Sequence, residues 1–187
     1  MALTVKGGGR LSLGDGDHDV YGPRAVNIQA GVGINHFDLL KGGSLTLAGT
    51  DTVTLRGGIL KLSEAGHALV TMIGGGGATV DQGAITLGSN RSVNTFQPVS
   101  GHTTMSGGGS TDIFRFDARG ISGNHTIEGF QSGIDKLLLL KHSLATLQSH
   151  GEIQEVAGNT LITMHGGSTT IELVGVTGVL ASSFLKH

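Results

Sequence analysis

Along most of the chain, apolar and polar residues alternate in short runs that glycine interrupts. Leu11-Ser-Leu13 leads into Gly14, Val26-Asn-Ile28 is followed by Gly31, and Leu45-Thr-Leu47 by Gly49. Val53-Thr-Leu55 meets Gly57-Gly58, with Ile59-Leu60-Lys-Leu62 directly behind it. Residues 68–73 run into the glycines of 74–77, and Ala84-Ile-Thr-Leu87 stops at Gly88. A period of two sends one set of side chains to a buried face and the other to solvent, which is the pattern of a half-buried strand. Turn signals at nearly every boundary keep the strands short. One such unit buries too little to persist alone, so the units must stack. The predicted fold class is all-β: a parallel β-solenoid or β-roll of degenerate glycine-rich repeats, spaced irregularly at roughly 8 to 18 residues.

The sharpest unit is Ser106-Gly-Gly-Gly-Ser-Thr-Asp112-Ile-Phe-Arg-Phe116. Its glycines let the backbone turn tightly and aim carbonyl oxygens inward, since no Cβ blocks the approach. Asp112 adds a charged oxygen at the end of that turn, and hard cations such as calcium prefer all-oxygen surroundings. Gly107, Gly108 and Asp112 are therefore candidate calcium ligands. Asp135 in a later turn, and Asp15, Asp17 and Asp19 crowded around Gly14 and Gly16, are further candidates. Residues 133–156 break the pattern: Leu137-Leu-Leu-Leu140 and the residues after it predict a buried strand passing into a short helix, a capping segment for one end of the stack.

Residues 106–139 resemble the closing segment of RTX proteins, the calcium-binding β-roll proteins exported by bacterial type I secretion. Gly158-Asn-Thr-Leu-Ile-Thr-Met, then Gly166-Gly-Ser-Thr-Thr-Ile-Glu-Leu-Val-Gly-Val176, and finally Phe184-Leu185 resemble that family's last hairpin and export region. The resemblance divides the chain into degenerate repeats over 1–105 and an RTX-like roll, cap and export region over 106–187, as one continuous elongated unit. It implies calcium as cofactor and the type I secretion apparatus as partner. It also implies a location outside a Gram-negative cell or on its surface. The family's acidic positions are depleted here. Asn35 replaces Asp in Gly31-Val-Gly33-Ile-Asn35, His18 and His125 stand at two others, and Gly129 precedes Phe130 where the family has Asp. One or two ions near Asp112 are expected, with β-structure retained in chelator.

Composition narrows the reading. Gly is 34 of 187 with only 2 Pro, against an ordinary glycine share of roughly 7%. Hydrophobic content of 37% with 4% aromatics and no Trp suits a thin stacked interior. Cysteine is absent, which removes disulfides and thiolate chemistry. The start Met1-Ala-Leu-Thr-Val lacks the basic and apolar regions of a secretory signal. No run approaches the roughly 18 apolar residues of a membrane span. Net charge is −2 and the 12 basic residues are scattered, so no nucleic-acid partner is expected.

Nine His form none of the spaced pairs that zinc sites use, and solvent-facing turns are their expected home. No Gly-x-Ser-x-Gly elbow or phosphate loop occurs. The chain is expected to be a non-enzyme: a secreted structural or adhesive protein capable of self-association into oligomers or filaments of a fibre or biofilm matrix. The alternative is the calcium-binding and secretion module of a larger protease, lipase or polysaccharide-modifying enzyme.

Overall fold

Each glycine-bounded alternation becomes a strand, and through residue 139 each strand after the first two skips its neighbour in sequence to pair with the strand two before it. A computed structural model describes residues 2–4, 10–22, 26–40, 42–48, 50–56, 58–64, 67–72, 76–80, 84–89, 94–98, 100–107, 109–116, 121–139 and 142–185. In chain order the elements are β1 (Ala2–Thr4), β2 (Arg10–Leu13), β3 (His18–Gly22), β4 (Val26–Ala30), β5 (Ile34–Leu39) and β6 (Gly42–Leu47). Next come β7 (Thr50–Leu55), β8 (Gly58–Glu64), β9 (His67–Met72), β10 (Gly76–Val80), β11 (Ala84–Ser89) and β12 (Asn94–Pro98). β13 (His102–Ser106), β14 (Ile113–Phe116), β15 (Gly123–Glu128) and β16 (Lys136–Leu139) lead to helix α1 (Leu144–His150). β17 (Ile153–Val156), β18 (Asn159–Met164) and β19 (Thr169–Leu173) complete the set.

The protein is all-β in class, with two largely parallel sheets. Among the described residues the larger has 11 strands in the order β1-β3-β5-β7-β9-β11-β13-β15-β19-β18-β17, and the smaller has 8 in the order β16-β14-β12-β10-β8-β6-β4-β2. Residues hydrogen-bonded across neighbouring strands are 16 to 18 apart in sequence over much of the chain. The step lengthens to 22 and 23 near residues 103–135. Parallel pairing requires a crossover, and here the crossover is the intervening strand of the other sheet. β18 breaks the rule by pairing antiparallel with both β17 and β19.

The inner faces share one core. On the large sheet Val20, Phe37, Val53 and Val70 stand in register and are at most 2% exposed. On the small sheet Leu60, Ala78, Phe96, Phe114 and Leu137 do the same. Phe96 stacks on Phe114 with centroids 5.2 Å apart, and Phe130 tilts onto Phe114 at 5.9 Å. Ala78 beside Phe96 balances volume along the column, as close packing demands.

The strand-then-helix reading of residues 133–156 holds for β16 and α1. Ser143 caps the helix by accepting from the Thr146 amide, Gly151 ends it at φ 68°, and Leu147 is fully buried beneath it. The outer edge of β16 is covered by the C-terminal stretch: Leu137 bridges Phe184 in parallel, and the Leu185 amide donates to the Leu137 carbonyl at 2.9 Å. At the opposite end, β1 and β2 have no outer partner among the described residues, and Leu11 and Leu13 are only half-buried.

Gly123 shows what tight approach between strands requires. Its φ is +114°, and an added Cβ would run into the Gly101 carbonyl, 2.8 Å from the carbonyl carbon. Gly123→Ala is expected to cost about 1–3 kcal/mol through strain at a positive φ, read as a lowered thermal midpoint with an unchanged far-UV spectrum.

Candidate functional site

Two of the acidic positions singled out from the sequence, Asp112 and Asp135, stand just ahead of neighbouring strands, beside Asn94 at the start of a third. Asn94 opens β12, Asp112 immediately precedes β14, and Asp135 immediately precedes β16. All three are fully buried. Asp112 Oδ1 accepts from the Asn94 backbone amide and from Asn94 Nδ2, both at 3.0 Å. Asp135 Oδ1 accepts from the Asp112 amide at 2.9 Å, and its Oδ2 accepts from the Gln131 amide at 2.8 Å. Burial raises the pKa of Asp135, while the two amide donors oppose that shift.

Gly107 lies against this pair. A Cβ there would sit 3.4 Å from Asp112 Oδ2 and 3.6 Å from Asp135 Oδ2, so both carboxylates turn an oxygen toward one bare Cα. Gly107, Asp112 and Asp135 are therefore brought together. Gly108 lies outside the described residues.

Asp15, Asp17 and Asp19 lie near the other end. Asp15 Oδ1 accepts from the Val32 amide and Asp17 Oδ1 from the Ile34 amide, each at 2.9 Å. Asp19 stands on β3, in register with Ala2 and His36. Among the described residues no three His, Cys, Asp or Glu are grouped to hold a metal ion.

A second column runs through the large sheet. His18, Asn35 and Asp51 are in register, the row passes Ala68 and Ile85, and it resumes as Thr103 and His125. Asn35 Nδ2 donates to Asp51 Oδ1 at 2.7 Å, and Thr103 Oγ1 lies 2.8 Å from His125 Nδ1. Asn35, Asp51, Thr103 and His125 are each at most 2% exposed. His125 corrects the expectation of solvent-facing turns: it is a buried strand residue, its ring tilted onto Phe116 at 5.5 Å. Burial lowers its pKa to about 4, with His102 adding to the shift and the Ser122 backbone opposing it.

Sequence reasoning missed Asp51, Asn94 and Thr103 as members of these rows. Their signal is distance along the chain, since Asp51 stands 16 residues from Asn35 and Asn94 stands 18 from Asp112. Near α1, Glu152 Oε2 lies 3.3 Å from His142 Nδ1 and 3.6 Å from His150 Nδ1, tying the helix to the strand that follows. Among the described residues no helix is long and apolar enough to cross a membrane. No protein-family model matches the chain, and no curated protein matches it.

Proposed function

We propose that the chain is a parallel β-roll of RTX type, exported by a type I apparatus, that serves outside the cell as a non-catalytic structural or adhesive scaffold. One observation carries the reading. The buried polar side chains are spent on hydrogen bonds between neighbouring strands instead of converging on a cleft. Asn35–Asp51, Asn94–Asp112–Asp135 and Thr103–His125 each link one strand to the next. A catalytic site needs such groups aimed at a shared space; a scaffold can use them to tie one strand to the next.

The outer edges of β1 and β2 supply the contact for self-association, because an unpaired strand edge accepts another chain. Light scattering and negative-stain microscopy of the purified chain are expected to show oligomers or filaments at high concentration, with and without calcium. Ser12→Lys, which places a charge on the exposed side of that edge strand, is expected to shift the population to monomer without loss of β-structure. Monomers at every concentration for the unaltered chain would count against the reading.

Calcium has a modest place in this scheme. Asp112 and Asp135, backed by Gly107, would hold one ion of all-oxygen chemistry, neutralising two buried carboxylates that stand one strand apart. Asp112 Oδ1 and both oxygens of Asp135 already accept from amide donors, so binding is not required for the strands to form. Calorimetric titration is expected to give a single event that Asp112→Asn removes. A coil-like far-UV spectrum in chelator, or several binding events, would show that more turns carry ions.

A further inference from the structure

We propose that the outer face of the 11-stranded sheet, from β7 to β15, is an ice-binding surface. The register over these strands never slips: Thr50 pairs with His67, His67 with Ala84, Ala84 with His102, and His102 with Asn124. One register row therefore runs Thr52, Leu69, Thr86, Thr104 and Thr126, and where its side chains are described, at Thr52, Thr104 and Thr126, it stands outside the core. The next runs Thr54, Thr71, Gly88, Ser106 and Glu128. Thr52, Thr54, Thr104 and Thr126 are half-exposed, between inward neighbours Asp51, Val53, Thr103, Met105, His125 and Ile127 that are buried.

Strands in a sheet stand about 4.8 Å apart, and alternate residues on one strand about 6.7 Å apart. Hydroxyls and methyls on such columns make a two-dimensional net. The hydroxyls anchor water by bonds nearly as favourable as direct contacts, and the methyls restrict where that water can sit. Water held at those two spacings follows the oxygen rows on the faces of hexagonal ice. A strong charge would impose its own hydration geometry, and across these columns Glu128 is the one Asp, Glu, Lys or Arg. The net ends where Asp38, the next position beyond Thr54, is tied to Arg56 by two 2.8 Å bonds.

Strand propensity alone does not explain the threonines, because it acts equally on the other sheet. There the corresponding register row carries Arg10, Asn27, Ser44, Lys61, Thr79 and Gln97, one threonine in six. The threonine bias belongs to one face. The inference is independent of calcium and of self-association.

The test is partition of the full chain into a slowly growing polycrystalline ice shell, beside a globular control of similar mass. The unaltered chain is expected to concentrate in the ice. The double variant Thr104→Lys with Thr126→Lys, and separately Thr52→Lys, are expected to fall to the control level with unchanged circular dichroism. Thr46→Lys, exposed on the other sheet, is expected to partition like the unaltered chain. Exclusion of the unaltered chain from ice overturns the proposal, as does partition of folded Thr52→Lys equal to it. Retention on crystalline chitin or cellulose without entry into ice also overturns it.

Discussion

Phe114→Ala is expected to lower the unfolding free energy by about 3–5 kcal/mol, the range for truncating a buried aromatic. Phe114 has no exposed surface, stacks on Phe96, meets Phe130, and lies in the column between Phe96 and Leu137. The cavity cannot close by one side chain swinging inward, because the strands on both sides are held in register by backbone bonds. Nearby, Phe114 Cζ would lie 3.6 Å from a Cβ on Gly107, so the ring also walls the Asp112–Asp135 pair. Domains of ordinary stability have about 5–15 kcal/mol to lose, so the variant sits near the limit of folding. Urea titration at neutral pH measures it. A loss below about 1 kcal/mol, the level of a tolerated surface change, would mean the aromatic column is not packed as described.

Acidification is the second large effect. His125 has a depressed pKa when folded, about 4 against 6.5. Below the unfolded value the unfolded chain binds the proton and the folded chain resists it, so stability falls as pH drops from about 6.5 toward 4. The shift corresponds to a loss on the order of 3 kcal/mol when the descent is complete. Asp135 acts in the opposite sense. Its pKa is raised in the folded protein, so falling pH stabilises the fold as that buried carboxylate is neutralised, down to its unfolded value of 3.8. His125→Gln separates the two. Denaturant midpoints between pH 7.5 and 4 are expected to decline for the parent chain and to stay level or rise for the variant, in which Asp135 acts without His125; parallel curves would remove His125 as the cause.

Much of the architecture is legible in the residues because period-two alternation and glycine punctuation are local signals. The runs at Leu45–Leu47, Val53–Leu55 and Ile113–Phe116 all become strands. β3 is less legible: His18-Asp19-Val20-Tyr21 lies beside Asp15 and Asp17, and the acids suggest a ligand turn more than a strand. The buried polar rows carry no such local signal. Alternation assigns a polar residue to solvent, yet Asn35, Asp51 and Asn94 face inward, and the two Asn amides donate through Nδ2 to carboxylates on adjacent turns of the chain. Only the length of the step between paired strands reveals such partners. Variable glycine turns hide that length, which drifts from 16 to 23 residues.

That step also governs how such a chain can change in length. Losing one residue from β7 would send Val53 and Leu55 to the outside and sever every row that passes through them. Losing a whole step of about 17 residues, the spacing by which the Val32 amide reaches Asp15, would splice like onto like and leave each row continuous. Length is therefore quantised, and descendants of this design would be longer or shorter in ratchet increments, each bringing or removing one tread from the outer faces as well as from the core.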